Sequence, residues 1–348
     1  MCDDIDRRRV NMATLKDIAK KTKVSQSTVS RVLNRDSSLS VSDKTRERIF
    51  KAASELGYKT VGQRYGDDTF SNKRIGIAQM FELKELLEDI YYLLMKNILE
   101  EECFSKQINT VTLFRNSERK FIKNDDEKLD GIIAIGRFSP EEIEGFKEYT
   151  NNIVFIDSSP DEQKYYSIVP NYHLSVRLAI NEFIEKGHKD IAFMGSCYTL
   201  GDRKDISLDP RFYYYRNSMI DKKMFNENFV IDCEMNSKSG YDKMKEFIKN
   251  SETMPSAIFI ASDSVAPGAL KALQEENISV PDDISIITFN NTSLSEFANP
   301  PLTSIEVYMR ENAKAGLLSL DQIWNGENHC KKIVISCELV DRHSVKQL

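Results

Sequence analysis

What the chain lacks narrows it first. No apolar run approaches the roughly 20 residues needed to cross a bilayer, and the opening MCDDIDRRRVN has no apolar core of the kind that directs export. A cytoplasmic chain with no membrane partner is expected. The six cysteines (Cys2, Cys103, Cys197, Cys233, Cys330, Cys337) are scattered without a C-x-x-C pair, so neither a disulfide framework nor a zinc site is expected. A nucleophile elbow, a Walker loop and a dinucleotide fingerprint are all missing. The four histidines (His173, His188, His329, His343) stand isolated and read as surface or helix-end residues. An enzyme is therefore not expected, and no cofactor is called for.

What is present is an uneven distribution of charge. Residues 12–59 hold eleven Lys and Arg against five Asp and Glu, a net of +6, in a chain whose total is −6. Residues 1–11 balance to zero, which leaves −12 on the remainder. A small basic head on a large acidic body makes anion binding a local property of the head. Within it, periodicity predicts three helices, over 15–21, 26–33 and 43–56. Thr14 is the first N-cap, with Asp17 at capping-box spacing, and Ser25 caps the second. Leu15, Ile18, Ala19, Val24, Val29, Val32 and Leu33 form the apolar stripe. Gln26, Ser27, Ser30 and Arg31 are left facing outward, the pattern of a helix-turn-helix with a hydrogen-bonding outer face.

The residues of this head carry a resemblance. T-L-K-D-I-A, then V-S-x-x-T-V-S-R-V-L-N, V-S-x-x-T-R-E-R-I and E-L-G-Y are similar, almost position for position, to the DNA-binding head of the lac repressor family. That resemblance implies a second helix lying in the major groove of operator DNA. Gln26 and Ser27 would then be base-contacting positions with Arg31 beside them, since Gln suits adenine and Arg suits guanine. Thr14, Ser25, Thr28, Ser30 and Asn34 would hold the duplex backbone. The family's usual homodimer is implied as well, because one head is too small for high affinity; the chain's end lacks the leucine heptads that make some relatives tetrameric. Residues 1–11 fall outside the resemblance and read as a disordered extension. The segment 60–73 reads as a linker: with Gly62, Gly66, Asp67 and Asp68 it encodes a flexible tether rather than a hinge helix that wedges a leucine into the minor groove.

From Arg74 short apolar runs alternate with amphipathic helices. Strands are predicted at 74–80, 108–114, 131–136, 153–157, 190–195, 257–261 and 284–289, and helices at 86–102, 174–186, 238–250 and 264–276. Apolar strands separated by helices mean parallel sheets covered on both faces, and the length suits two doubly wound lobes. The resemblance continues through A-S-D-S-x-A-x-G-A-L-x-A-L, V-P-D-D-I-S-I-I and N-P-P-L-T-S-I. It implies an α/β core like that of the periplasmic binding proteins, closing on a small ligand. Lobe 1 is expected over 74–168 and 307–330, and lobe 2 over 169–306 and 331–348.

Such sheets bind ligands outside the carboxyl ends of their strands. Asp157, Ser262, Asp263, Asn290 and Asn291 stand at those ends. Asp263 reads as the N-cap of the helix after it, and Asn290 and Asn291 can simply make a turn; the resemblance implies ligand contacts at Asp157 and Asn290, and Ser262 is a third candidate. The resemblance adds Arg211, at the place of an arginine that hydrogen-bonds sugar hydroxyls, and Tyr215, at a position usually aromatic; Arg216 is a competing surface charge. Tyr91 and Tyr92 lie near the other lip, where packing and a sugar platform both fit a tyrosine pair. The wording around these residues is most similar to the galactose-operon and evolved β-galactosidase regulators, which implies a galactose or β-galactoside effector.

Overall fold

In the computed structural model the described residues are 14–33, 41–56, 58, 70, 73–82, 86, 88–116, 118–197, 208–327 and 329–348. The expectations for residues 1–11 and for Asn34 lie outside them, as does that for the linker apart from Phe70 and Lys73. The chain divides into two units, Met1–Ser71 and Asn72–Leu348.

The head is three helices, α1 (Leu15–Thr22), α2 (Gln26–Leu33) and α3 (Asp43–Glu55). Asp17 takes the Thr14 amide at 2.8 Å and returns its own amide to Thr14 Oγ1 at 3.3 Å, the reciprocal pair of a capping box. Lys23 ends α1 in the left-handed region, φ 54°, and turns the chain toward α2. Ile18, Val29, Val32 and Ile49 are fully buried at the centre, with Leu15, Val24 and Leu33 packed around them. Helices this short are marginal alone, so their shared apolar face holds them. A Lys21–Glu55 ion pair at 2.7 Å adds an exposed tie between α1 and α3.

The body holds strands β1 (Arg74–Gln79), β2 (Asn109–Arg115), β3 (Phe121–Ile122), β4 (Gly131–Ile135), β5 (Ile153–Ile156), β6 (Tyr166–Pro170) and β7 (Ile191–Gly195). They are followed by β8 (Val230–Asp232), β9 (Ala257–Ile260), β10 (Ser285–Asn290), β11 (Thr303–Glu306), β12 (Lys332–Ile335) and β13 (Glu338–Val340). Its helices are α4 (Ile90–Ser105), α5 (Pro140–Phe146), α6 (Tyr172–Glu185), α7 (Pro210–Asp221), α8 (Ser237–Asn250), α9 (Ala266–Glu275), α10 (Ser293–Glu296) and α11 (Met309–Trp324). Lobe 1 is a sheet of order β12-β6-β5-β4-β1-β2-β3, and lobe 2 one of order β13-β11-β10-β9-β7-β8. Pairing is parallel except for β2 with β3 and β11 with β13. Every residue of β4, β5, β7, β9 and β10 is buried, as sheets covered on both faces require.

The expected lobe boundaries need correction. β6 runs to Pro170 inside the lobe 1 sheet, and β12 pairs with it, Ile333 beside Ile168 and Val334 beside Val169. Residues 169–170 and 332–335 thus belong to lobe 1, and the chain leaves that lobe for the last time after Ile335. The cause is that Ile333 to Val340 is one apolar run bent at Ser336 and Cys337, with each half completing a different sheet.

Gly268 on α9 has no room for a side chain: an added Cβ would sit 1.8 Å from the Ser237 carbonyl oxygen of α8. Gly145 in α5 faces open space. Gly268→Ala is expected to cost about 1–3 kcal/mol by forcing the two helices apart. Gly145→Ala should gain up to about 1 kcal/mol from helix propensity. Urea denaturation midpoints of both variants check the contrast.

Candidate nucleic-acid interface and ligand cleft

On the head, Ser25 caps α2 by accepting the Thr28 amide at 3.1 Å, and its hydroxyl lies 2.8 Å from those of both Ser27 and Thr28. This knot gathers hydroxyls and free helix-end amides at the N-terminus of α2, where the macrodipole favours an anion. Gln26, Ser27 and Arg31 are exposed on the outer face, with Ser30 and Thr28 partly so and Thr14 exposed at the start of α1. The apolar face of α2, Val29 and Val32, points the other way into the core. Of the residues that sequence reasoning assigned to DNA, Thr14 stands at the start of α1, Ser25 to Thr28 at the start of α2, and Ser30 and Arg31 further along α2.

In the body, the strand order reverses between β1 and β4 in lobe 1 and between β7 and β9 in lobe 2, and the residues after these strands form the cleft. Asp157, just past β5, has φ 67°, and Asn290, closing β10, has φ 101°. Left-handed backbone at two non-glycine positions is strain of the kind that collects at functional rims. Asp157 accepts the Tyr92 hydroxyl at 2.7 Å and also that of Tyr172, whose ring stacks on Phe289 at 6.0 Å. Tyr91 is buried beside Asp157, Tyr172, Asp89 and Arg211, yet its hydroxyl has no hydrogen-bond partner among the described residues.

Besides the hydrogen bond from Tyr172 to Asp157, two further polar links join the lobes. Asp89, the N-cap of α4, accepts the Ser264 hydroxyl at 3.0 Å. Arg137, two residues beyond β4, reaches Asp209 at 3.6 Å. Asp209 caps α7 and is held by Arg211 through Nε at 2.9 Å and Nη2 at 2.8 Å, while Arg211 Nη1 donates to the Ala261 carbonyl at 2.8 Å. Burial alone would raise the Asp209 carboxyl; the Arg211 and Arg137 guanidiniums override it and hold the acid below its ordinary range. Asp89 goes the other way. Burial pushes it to about 6, only partly offset by the Ser264 and Tyr91 amide hydrogen bonds.

Of the sequence-derived ligand residues, Tyr91, Tyr92, Asp157, Arg211, Ser262 and Asn290 are at the carboxyl ends of strands or the adjoining helix starts. Tyr215 is not, and its assignment is corrected: it is fully buried in lobe 2 among Phe193, Phe212 and Phe225. Its hydroxyl donates to the Ile191 carbonyl at 2.7 Å, at the opposite end of β7 from the cleft. One helical turn past Arg211, α7 has already descended along the sheet. Asp263 is also not the cap of α9, whose N-cap is Val265 and which has no side-chain cap. It instead accepts from Thr292, Ser295 and Ser304 and ties the turn after β10 to β11. Arg216 is exposed, over the ring of Phe225. His188, expected at the surface or at a helix end, stands just past the C-cap of α6 and is buried between the Ser256 hydroxyl and the Lys346 carbonyl, pinning the chain's end to lobe 2. Sequence reasoning missed Arg137, Asp209 and Tyr172. The signal for Arg137 was its place directly after the strand G-I-I-A-I-G, and for Asp209 its place before P-R.

A capped helix-turn-helix with a polar outer face, followed by a two-lobed parallel-sheet core whose switch points face one another, defines a DNA-binding regulator with a small-molecule cleft. The chain belongs to the LacI family of bacterial regulatory proteins. Residues 14–60 match that family's model, and residues 180–345 match a periplasmic binding protein-like domain. The transcriptional regulator GanR of Bacillus subtilis (strain 168) is 36% identical over 341 residues, 96% of this chain and 100% of its own length. The repressor MelR of the same organism is 36% identical over 96% of this chain and 97% of its own length. Regulator GalR of Streptococcus thermophilus is 36% identical, covering 88% and 91%. Among solved structures, the CelR–cellobiose complex matches with a TM-score of 0.66 at 20% identity, over 95% of this chain and 99% of that one. The lac repressor dimer bound to operator and an anti-inducer matches with 0.61 at 21% identity, over 96% and 99%. The protein is thus a helix-turn-helix transcriptional regulator and not an enzyme.

The raised Asp89 carboxyl makes stability depend on pH. Unfolded, the group ionises near 3.8; folded, it ionises near 6. Its contribution is whole below the unfolded value and is lost as pH rises through the folded one, about 3 kcal/mol in all. Asp89→Asn cannot ionise, so its stability should fall less between pH 4.5 and 7 than that of the wild type in paired urea titrations.

Proposed function

We propose that the protein is a cytoplasmic repressor of galactose or β-galactoside utilisation genes, binding its operator as a homodimer and governed by a sugar held between its lobes. The observation that carries the sugar reading is the Tyr91 hydroxyl, buried amid Asp157, Asp89, Tyr172 and Arg211 with no hydrogen-bond partner among the described residues. Buried polar groups are normally satisfied, and a polyol can supply the missing bond. It would also find carboxylate acceptors, a forked guanidinium and the Ser262 and Asn290 side chains beside it. Relatives with the printed names GalR, GanR and MelR, and a fold shared with a regulator bound to cellobiose, favour the same chemistry.

On the DNA side, the α2 face of Gln26, Ser27 and Arg31 reads base edges in the major groove, while Thr14, Ser25, Thr28, Ser30 and Asn34 hold phosphates. A twofold protein suits a near-palindromic operator, and exposed Phe104 and Phe297 are apolar surface of the kind a second copy covers. The sugar acts by differential affinity: it favours one arrangement of the lobes, and that arrangement sets whether two heads fit both half-sites.

Gln26→Ala should lose about 1–3 kcal/mol of operator affinity and relax discrimination at one base position. Gel shifts at two salt concentrations, against the operator and a scrambled duplex, read both effects; equal loss on both duplexes would make Gln26 a backbone contact instead. Tyr91→Phe separates binding from folding. Removing a hydroxyl that has no partner should leave the melting temperature unchanged or raised, while calorimetric affinity for the sugar falls about fivefold. Titration with galactose, lactose and a purine base tests the effector class, and uptake of the purine alone rejects the sugar.

A further inference from the structure

The second passage of the chain between the lobes is very short. β11 ends in the lobe 2 sheet at Glu306, and α11 begins at Met309. That helix lies on lobe 1, where Trp324 donates to the Asp130 carbonyl at 2.9 Å and Leu320 packs over Gly131 of β4. Between them Tyr308 has φ 49°, a backbone conformation that a bulky residue rarely adopts unaided. Two side chains hold it there. Asn312, fully buried on α11, donates from its amide nitrogen to the Val307 carbonyl at 2.8 Å and to that of Tyr308 at 3.0 Å. From the other side the Glu306 carboxylate accepts the Tyr308 amide at 2.7 Å.

The same carboxylate reaches the cleft. Glu306 stands beside Asn290 in the β10–β11 register, and its second oxygen accepts the Asn291 side-chain amide at 2.8 Å. Asn291 in turn accepts from Arg342 at 2.7 Å. This chain of bonds has one polarity: an arginine only donates and a carboxylate only accepts, so a single orientation of the Asn291 amide satisfies both. Asn290 and Asn291 are left-handed, at φ 101° and 54°, which asparagine tolerates. One acid therefore spans two pieces of left-handed backbone, the turn that presents Asn290 and the peptide where the chain changes lobes.

We propose that Glu306 is a positioning residue that gears this turn to the crossover: when the turn shifts, the carboxylate moves with it and carries the Tyr308 amide and the start of α11. The link stands on the hydrogen bonds alone. Its part in regulation rests on the reading of Asn290 as a ligand contact, by which capture of an effector on lobe 2 changes the angle at which the chain enters lobe 1.

The test uses the polarity of the chain. Asn291→Asp keeps the acceptor for Arg342 and the tolerance for left-handed backbone, but sets a carboxylate against that of Glu306. Glu306→Gln keeps an acceptor for the Tyr308 amide, but turns a donor toward the Asn291 amide. Together the two substitutions restore every bond, one of them reversed, at unchanged net charge. Deuterium exchange of the ligand-free, full-length protein, read over residues 307–313, should be about fivefold faster in each single variant, as the loss of one hydrogen bond implies. In the double variant it should return to the wild-type rate. Wild-type exchange in Asn291→Asp, or a double variant no slower than the faster single one, would overturn the link. In gel shifts on the operator with and without saturating lactose, the ratio of the two affinities should fall toward one in both single variants and recover in the double. Restored exchange without a restored ratio would overturn the gearing and leave Glu306 a brace. A wild type indifferent to lactose would remove the sugar reading, while the exchange rates still decide the link.

Discussion

The cleft is organised by the Asp209 carboxylate. A charge so deeply buried, 2% exposed, persists only with counter-charges and hydrogen bonds in place. Arg211 supplies both from the same lobe, as a planar fork matched to two oxygens. Arg137 supplies a third positive contact from the other lobe. Separation of the lobes leaves Asp209 with Arg211 alone and gives Arg137 back to water, so the electrostatics of one acid depend on how the two halves stand. Since Arg211 also donates to the Ala261 carbonyl at the end of β9, any group that competes for its fork disturbs the loops of lobe 2 and the link to lobe 1 together.

Around this centre the protein places strained and unsatisfied groups on a rigid floor. The strands beneath are buried along their whole length, so the left-handed backbone at Asp157 and Asn290 and the Tyr91 hydroxyl, unpartnered among the described residues, rest on closely packed neighbours. Asp263 shows how that rigidity is built. Its carboxylate collects three side chains and an amide from the turn after β10 and from β11, which braces the loop presenting Asn290. Burial raises this acid while those hydrogen bonds pull the other way.

The head was almost wholly legible in the sequence because its determinants are local. A capping box, a serine cap and a helical apolar stripe each act within four residues, and α1, α2 and α3 follow from them. The central strands were legible for a related reason: continuous apolar runs such as G-I-I-A-I have no other soluble home. Legibility failed where the answer lay in the partner rather than the segment. β3 has two residues and exists only beside β2. The run from Ile333 to Val340 is one apolar stretch by composition, and nothing local says that its halves serve different lobes. Tyr215 lies four residues from Arg211, close enough to share a motif, but a helix had already carried it a turn down into the core. Asp263 stands before a helix as a cap should, and is drawn instead to hydroxyls 29 to 41 residues away. At Arg137 and Asp209, roles depend on a neighbour 72 residues off in the other lobe, which periodicity cannot register.

The threefold passage of the chain between lobes has a consequence for ancestry. The head is a continuous cassette that recombination between it and the body could exchange for one with another operator preference. Neither lobe is such a cassette, since each is assembled from separated stretches of gene. Ligand preference must therefore drift by substitution within an intact body, while DNA preference is free to be traded whole.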